Sequence, residues 1–460
     1  MIDRLTSDSR LAAQGAAFFA WPGTAGDGRR HIADAVKRGA SAVVWEREGF
    51  AFTQEIPNVG VENLKNKAGF LAHEFYGRPS ESLWMCGVTG TNGKTTCSQW
   101  IAAALAQHGE SAAVVGTLGA GFLGRLGAVA NTTPDALEIH GLLKEFKAQG
   151  AAAAAMEVSS HGLDQGRVNG VAFDCALFTN LTHDHLDYHR TMDAYGAAKA
   201  KLFEAPGLET AVINLDDPLG RELAKRTRAR VLGYGSSQEA FLAGERTGQN
   251  TIKIKTNSES IEVPFPHAGA FNLSNALGVL GCLIARGIPL EEGARLLSKL
   301  PAVPGRMQTV GDRPLVVVDY AHTPDALEKV LAALKPVARS RGGRLAVVFG
   351  AGGERDPAKR PAMGAVAARL ADHVLVTSDN PRGEDPLAII EAVRRGATGK
   401  VASDPDRESA IRTAIAEADG ADVILLAGKG HETTQEVAGK RHPFSDAAVA
   451  AAALGARRER

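Results

Sequence analysis

A lysine and two threonines follow a pair of glycines in Gly90-Thr91-Asn92-Gly93-Lys94-Thr95-Thr96. Residues 83–88 before them are apolar and read as a strand. Residues 98–106 after them read as a helix with Trp100, Ile101, Ala104 and Leu105 on one face. At such a strand-to-helix turn, backbone N–H groups and a lysine can hold a polyphosphate, so the stretch is an expected ATP site. The glycine spacing departs from G-x-x-x-x-G-K-[ST], because Val88 stands five positions before Gly93. The bland alternative is a glycine-rich turn that binds nothing, but Lys-Thr-Thr in a first helical turn has no packing purpose.

Two more runs place chemistry at strand ends. Met156-Glu157-Val158-Ser159-Ser160-His161 ends an apolar run with a carboxylate and two hydroxyls. Asn180-Leu181-Thr182-His183-Asp184-His185-Leu186-Asp187-Tyr188-His189 packs histidines and aspartates together. Both loops are expected to open toward the glycine loop. His183 and His189 read equally well as structural histidines. A zinc hydrolase is one reading of the cluster. A neighbouring phosphate loop is a reason for magnesium instead, which takes carboxylates, waters and phosphate oxygens.

These residues must be carried by a scaffold of several modules, since 460 residues exceed one hydrophobic core. Short strand-like runs at 40–45 and 58–61 precede a break at Gly77-Arg78-Pro79-Ser80. From residue 83, strands at 113–115, 152–158, 175–179 and 210–214 alternate with helices, predicting a mostly parallel sheet. A β-rich patch at 251–264 and a helix at 272–285 follow, and Pro301, Pro304 and Gly305 mark a second break. Strands at 315–319, 345–349, 373–377 and 422–426 then build a third module with ligand-type loops at its strand ends. The expectation is a three-domain α/β protein: 1–80 N-terminal, 81–304 central and nucleotide-binding, 305–460 C-terminal and Rossmann-like.

Lys plus Arg equals Asp plus Glu, 52 against 52, so no global field draws nucleic acid or an anionic membrane. Cys86, Cys97, Cys175 and Cys282 lie far apart in sequence without a C-x-x-C pair, arguing against a disulfide framework or a zinc ribbon. The start lacks the regions of a signal peptide, and no run approaches membrane-spanning length. A soluble cytoplasmic protein without membrane insertion is expected.

The chain resembles the Mur ligases of peptidoglycan synthesis over essentially its whole length. The resemblance rests on Thr6-Ser7-Asp8-Ser9-Arg10, residues 90–96, Asn131-Thr132-Thr133, residues 157–162, Asp184-His185-Leu186-Asp187-Tyr188-His189 and Gly305-Arg306-Met307. It continues through Asp319-Tyr320-Ala321-His322-Thr323-Pro324, Asp379-Asn380-Pro381-Arg382 and Gly428-Lys429-Gly430-His431-Glu432. It implies an ATP-dependent acid–amino-acid ligase. The γ-phosphoryl group of MgATP passes to the terminal carboxylate of a UDP-muramoyl dipeptide, and an amine attacks the acyl phosphate. Two anions meet in the first step, so charge must be neutralised.

By resemblance, Lys94, Glu157, His185 and Lys199 are the catalytic residues. Thr95 and Glu157 serve one Mg2+, and His185 with Lys199 a second. Lys199 sits in Tyr195-Gly196-Ala197-Ala198-Lys199, where the family carries an N-carbamoylated lysine. Spacing alone would make it a solvated lysine on a helix. The resemblance places Asn272 near adenine, with Arg306 and Asp319 toward ribose and phosphates and His322 close by. Asn272 reads equally as a helix N-cap. Ser9 and the loop Thr24-Ala25-Gly26 fall at the uridine diphosphate end, although the family often has His-Gln-Ala there. Thr132, Thr133, Ser159, Gln165 and Arg167 fall along the muramoyl-peptide path. Few residues precede Ser9, so a short N-terminal extension is expected.

In Asp379-Asn380-Pro381-Arg382 the guanidinium offers a planar fork for a carboxylate. meso-2,6-Diaminopimelate differs from L-lysine by a carboxylate at its far end. The resemblance puts this motif with the diaminopimelate-adding members, with Arg355, Gly428 and Glu432 as further partners. The motif also reads as a turn, and both can hold. The implied acceptor is UDP-N-acetylmuramoyl-L-alanyl-D-glutamate, the enzyme is expected to act as a monomer, and domain closure is expected to assemble the site. Three alternatives stay open: a folylpolyglutamate synthase, a nucleotide-driven switch or motor, and a metal-dependent hydrolase.

Overall fold

The computed structural model describes residues 1–23, 26–237, 239–248, 250–399 and 401–458. Thr24 and Ala25 of the first expected loop therefore lie outside the described residues. The chain divides into two compact units. Met1–Asn180, Gly196–Ala243 and Leu277–Leu297 form the first, and Leu181–Tyr195, Gly244–Ala276 and Ser298–Arg460 the second.

The first unit holds a four-stranded parallel sheet in the order Arg4–Thr6, Ala16–Ala20, Ala42–Glu46 and Asn58–Val61. Its second sheet has eight strands, ordered Arg230–Tyr234, Thr210–Asn214, Cys175–Phe178, Trp84–Thr89, Ala153–Glu157, Ala112–Gly116, Gly119–Phe122 and Arg125–Gly127. All neighbours are parallel except the last two pairings. Parallel strands are covered on both faces, so they need continuous small or apolar residues. Trp84–Thr89 and Ala153–Glu157 are buried at every position, and the alanine run at 151–155 falls largely within the second of these strands.

The helix after the glycine loop, Lys94–His108, is buried from Thr95 through Leu105. Trp100, Ile101, Ala104 and Leu105, the face read from its sequence, are all buried, and burial extends beyond them because the helix packs against the sheet and also against the helix Leu290–Leu297. The cysteines also come closer than their sequence separation suggests. The thiols of Cys86, Cys175 and Cys282 lie within 4.8 Å of one another in the core, and all four cysteines are buried thiols outside disulfides.

The second unit contains a six-stranded sheet ordered Gln308–Asp312, Leu315–Asp319, Val423–Ala427, Leu345–Phe349, His373–Val376 and Ala402–Ser403. Only its first edge pairing is antiparallel. One core, around Leu327, Leu331, Met363 and Val393, covers one face; Ile411, Ile415, Ala450 and Leu454 cover the other. The hairpin Thr251–Lys255 with Ser260–Pro264 matches the β-rich patch read from sequence. Loops leaving the carboxyl ends of four adjacent strands carry residues 320–323, 350–358, 377–385 and 428–433. Ligands of open α/β sheets bind at such strand ends.

Candidate active site

In the first unit the glycine loop is clamped by the next strand end. Thr91 N–H donates to Asn180 O at 2.8 Å, and Asn92 N–H to Asn180 Oδ1 at 3.0 Å. Thr179 Oγ1 donates to Asn92 O at 2.6 Å, and Asn180 Nδ2 to the same oxygen at 3.1 Å. A Cβ on Gly90 (φ 148°) would lie 1.9 Å from Thr179 Oγ1, so the clamp needs glycine. Gly93, at φ 90°, is the residue from which the helix starts, and Thr96 is buried in its first turn. Lys94 Nζ curls back to donate to Gly90 O and Thr91 O, each at 2.9 Å.

Glu157 ends its strand 1 % exposed and has three donors. Thr95 Oγ1 reaches Oε2 at 2.9 Å, Thr117 N–H reaches Oε1 at 2.7 Å, and Thr117 Oγ1 reaches Oε2 at 3.1 Å. Thr117 also meets Thr132 Oγ1 at 3.0 Å. Sequence reasoning missed Thr117 because it stands in no recognisable motif. Thr133 Oγ1 donates to Glu157 O at 2.9 Å and Arg167 donates to Thr133 O at 2.8 Å. The guanidinium also pairs with Gln165 Oε1, and Thr133 with Ser159 Oγ. Thr132, Thr133, Ser159, Gln165 and Arg167 thus form one network behind Glu157.

Lys199, on the helix Met192–Ala200, is 1 % exposed and donates to Gly90 O at 2.9 Å. It is not the solvated lysine that spacing alone allows. Ser9 lines an open cavity of about 890 Å3 with Asp8, Arg10, Lys37, Arg38 and Asp135, the last of which stands two residues beyond Thr133.

The second unit brings together a different set. His185 has φ 55° and starts the short helix Leu186–His189, with its backbone N–H on Asp184 Oδ1 at 2.9 Å. Asp184 Oδ2 lies 3.4 Å from His185 Nε2 and 4.0 Å from His322 Nε2. Burial pushes the Asp184 carboxyl up, but the attraction of His185, His322 and Lys359, with the His185 backbone N–H, outweighs it and holds it at about 2. His183 pairs with Asp356 at 3.0 Å, and His189 stacks on Tyr195 at 5.2 Å between ring centroids.

Asp319 accepts from Met307 N–H at 2.7 Å and Ala321 N–H at 2.8 Å. Burial raises its carboxyl, against the opposing effect of Arg306 and these two amides. Arg306 lies 4.3 Å over the Tyr320 ring. Asn272 is not an N-cap. It sits within the helix Ala270–Ala285 and its Nδ2 donates to Ala268 O at 2.8 Å.

The loop after His373–Val376 carries Asp379, Asn380, Pro381 and Arg382, with Arg382 at φ 53°. Arg382 N–H donates to Glu436 O at 3.1 Å, and its guanidinium donates to Gly353 O in the loop that carries Arg355. A Cβ on Gly428 (φ 113°) would lie 2.4 Å from Asp379 Oδ2. Asn380 and Glu432 are joined at 2.8 Å. The amino-acid residues expected from sequence thus share one set of strand-end loops.

A phosphate loop backed by a carboxylate, on a mostly parallel sheet and with a separate α/β module rich in charged strand-end loops, defines an ATP-dependent ligase. Comparison with known proteins agrees. The Mur ligase family, catalytic domain, matches residues 1–73; the Mur ligase middle domain matches 88–283; and the Mur ligase, glutamate ligase domain, matches 305–430. The chain belongs to the Mur ligase family. The UDP-N-acetylmuramoyl-L-alanyl-D-glutamate--2,6-diaminopimelate ligase of Ectopseudomonas mendocina is 51% identical over 469 residues, covering 99% of this chain and 96% of the relative. A solved structure of a ligase of the same name is 36% identical, with TM-score 0.69, over 99% of this chain and 95% of that one. The MurF ligase from Thermotoga maritima, in complex with ADP, shares the fold at TM-score 0.70 and 19% identity, over 93% of this chain and 94% of that one.

Proposed function

We propose that this ligase adds meso-diaminopimelate to UDP-N-acetylmuramoyl-L-alanyl-D-glutamate in peptidoglycan synthesis, in the cytoplasm and as a monomer. The observation that carries the reading is the set of amino-acid loops. Arg382 offers a carboxylate-binding fork within the same loops as the Glu432 carboxylate, so a ligand end bearing both a carboxylate and an ammonium finds an opposite charge for each. The half-identical relative carries the same activity in its name.

The chemistry follows from the residues. The loop residues Gly90, Thr91, Asn92, Gly93, Lys94, Thr95 and Thr96 take the phosphates, with Lys94 and the N–H groups of Gly93, Thr95 and Thr96 as donors while Asn180 holds the N–H groups of Thr91 and Asn92 in the loop's shape. Asn272, Arg306 and Asp319 take the nucleoside end. The acceptor carboxylate attacks the γ-phosphorus and ADP leaves. The amine then attacks the acyl carbon and phosphate departs, giving the amide. Lys94 lowers the repulsion between the two anions in the first step. Ser9, Thr132, Thr133, Ser159, Gln165 and Arg167 hold the nucleotide-sugar peptide. Arg355, Asp379, Asn380, Pro381, Arg382, Gly428 and Glu432 receive the amino acid.

The hydroxyl and carboxylate oxygens of Thr95 and Glu157 suit Mg2+, a hard cation that prefers oxygen, and do not suit a zinc site of nitrogen and sulfur. Bound there, Mg2+ would neutralise phosphate charge. His185 would serve a second Mg2+ together with Lys199, which carbamoylation would turn from a donor into an oxygen acceptor. The test is competition between meso-diaminopimelate and L-lysine at equal concentration. The diamino diacid should be incorporated by about 10⁴-fold or more in preference, the discrimination of a site built to pair a group the analogue lacks. A lysine preference overturns the substrate assignment.

A further inference from the structure

Lys429 is wholly buried, and its ammonium makes two hydrogen bonds there: Nζ donates to Asn380 Oδ1 and to Glu432 Oε2, each at 2.9 Å. Asn380 closes the triangle by donating from Nδ2 to Glu432 Oε2 at 2.8 Å, and Glu436 N–H donates to Asn380 Oδ1 at 3.0 Å. A lysine can only donate, so it fixes which end of the Asn380 amide faces it. The consequence falls on Glu432. Its Oε2 accepts twice, while Oε1 accepts from none of the described residues and the side chain keeps 29% exposure.

We propose that Lys429 is a positioning residue that clamps Glu432 Oε2 and leaves Oε1 as the acceptor for the ammonium at the non-reacting end of the diamino acid. The proposal rests on the diaminopimelate reading above. A free glutamate would swing between rotamers and lose that freedom on each binding event; a clamped one has lost it already. The ion pair also reduces the net charge at this point, so the incoming ammonium is selected chiefly by a directed hydrogen bond to the Oε1 lone pairs.

The experiment compares meso-diaminopimelate with 2-aminopimelate, which lacks the second amine, in wild type, Lys429→Met, Glu432→Gln and the double variant. For Lys429→Met the KM for diaminopimelate should rise about tenfold or more, a loss of the order of one charge-assisted hydrogen bond. The KM for 2-aminopimelate, ATP and the UDP-muramoyl dipeptide should not move. The double variant should be no worse than Glu432→Gln alone, since both act through the one Glu432 carboxylate. Should Lys429→Met not fold, Lys429→Arg must keep the wild-type preference and Lys429→Gln must lose it. Equal losses on both amino acids, or additive losses in the double variant, overturn the positioning role while leaving the ligase reading intact. A wild-type enzyme that does not use diaminopimelate overturns both.

Discussion

Replacing Arg407 tests whether the amino-acid loops are held from behind by a buried ion pair. Arg407 and Asp446 have side chains 0%/0% exposed. Nε reaches Oδ1 at 2.7 Å and Nη2 reaches Oδ2 at 2.6 Å, a bidentate pair. The guanidinium also donates to Ser378 O at 3.2 Å and Ala427 O at 2.9 Å. Those carbonyls immediately precede Asp379 and Gly428, so one side chain ties together the roots of two loops. Arg407→Met strands a buried carboxylate, at about 3–5 kcal/mol, and leaves two carbonyls with one partner fewer. Against a typical domain stability of about 5–15 kcal/mol this is large but survivable.

The assay is amide hydrogen exchange of the full-length enzyme, because a chain of several modules gives no single unfolding free energy. Exchange around residues 378–382 and 427–432 should accelerate by at least about 10²-fold in Arg407→Met, while residues 84–96 stay unchanged. Combining it with Asp446→Leu should recover much of the loss, since an apolar pair removes the stranded charge. Unchanged exchange at both loops, or a double variant worse than either single one, would refute the reasoning.

Gly428→Ala places a Cβ 2.4 Å from Asp379 Oδ2 at a φ of 113°. A cost of about 1–3 kcal/mol should appear as a KM for diaminopimelate raised about tenfold or more, with the KM for ATP constant in steady-state assays. Lys199→Ala should lose most activity and regain part of it with added short carboxylates; full activity without rescue would end the carbamate assignment. His140 is held neutral by burial, its basicity lowered from 6.5 to about 4. The unfolded chain therefore binds the extra proton first. Stability should fall as pH drops from about 6.5 towards about 4, by at most about 3 kcal/mol, and His140→Gln should flatten that slope in pH-dependent thermal melts.

Much of the scaffold was legible because parallel strands must be apolar throughout. Thr210–Asn214, Leu315–Asp319 and Leu345–Phe349 fall where apolar runs put them. The hairpin Gly119–Phe122 with Arg125–Gly127 escaped, since its glycines and short strands carry no alternating pattern. Motif-bearing loops were legible as strings of unusual residue types. Their supports were not: Thr117, Thr179 and Arg407 act through contacts between segments far apart in sequence, and Lys429, although inside a quoted motif, acts through a burial that spacing does not encode. The helix Lys94–His108 was legible through Trp100, Ile101, Ala104 and Leu105, but its burial on the other sides was not, because tertiary cover erases the one-faced pattern of a surface helix.

The central claim is that a carboxylate is activated by phosphoryl transfer before an amine attacks its carbon and displaces the phosphate. Heavy-oxygen label placed in the terminal carboxylate of the UDP-muramoyl dipeptide tests it directly by mass spectrometry. One labelled oxygen per turnover should appear in the released phosphate, dependent on Lys94 and Glu157. Phosphate carrying no label while amide accumulates would contradict the account.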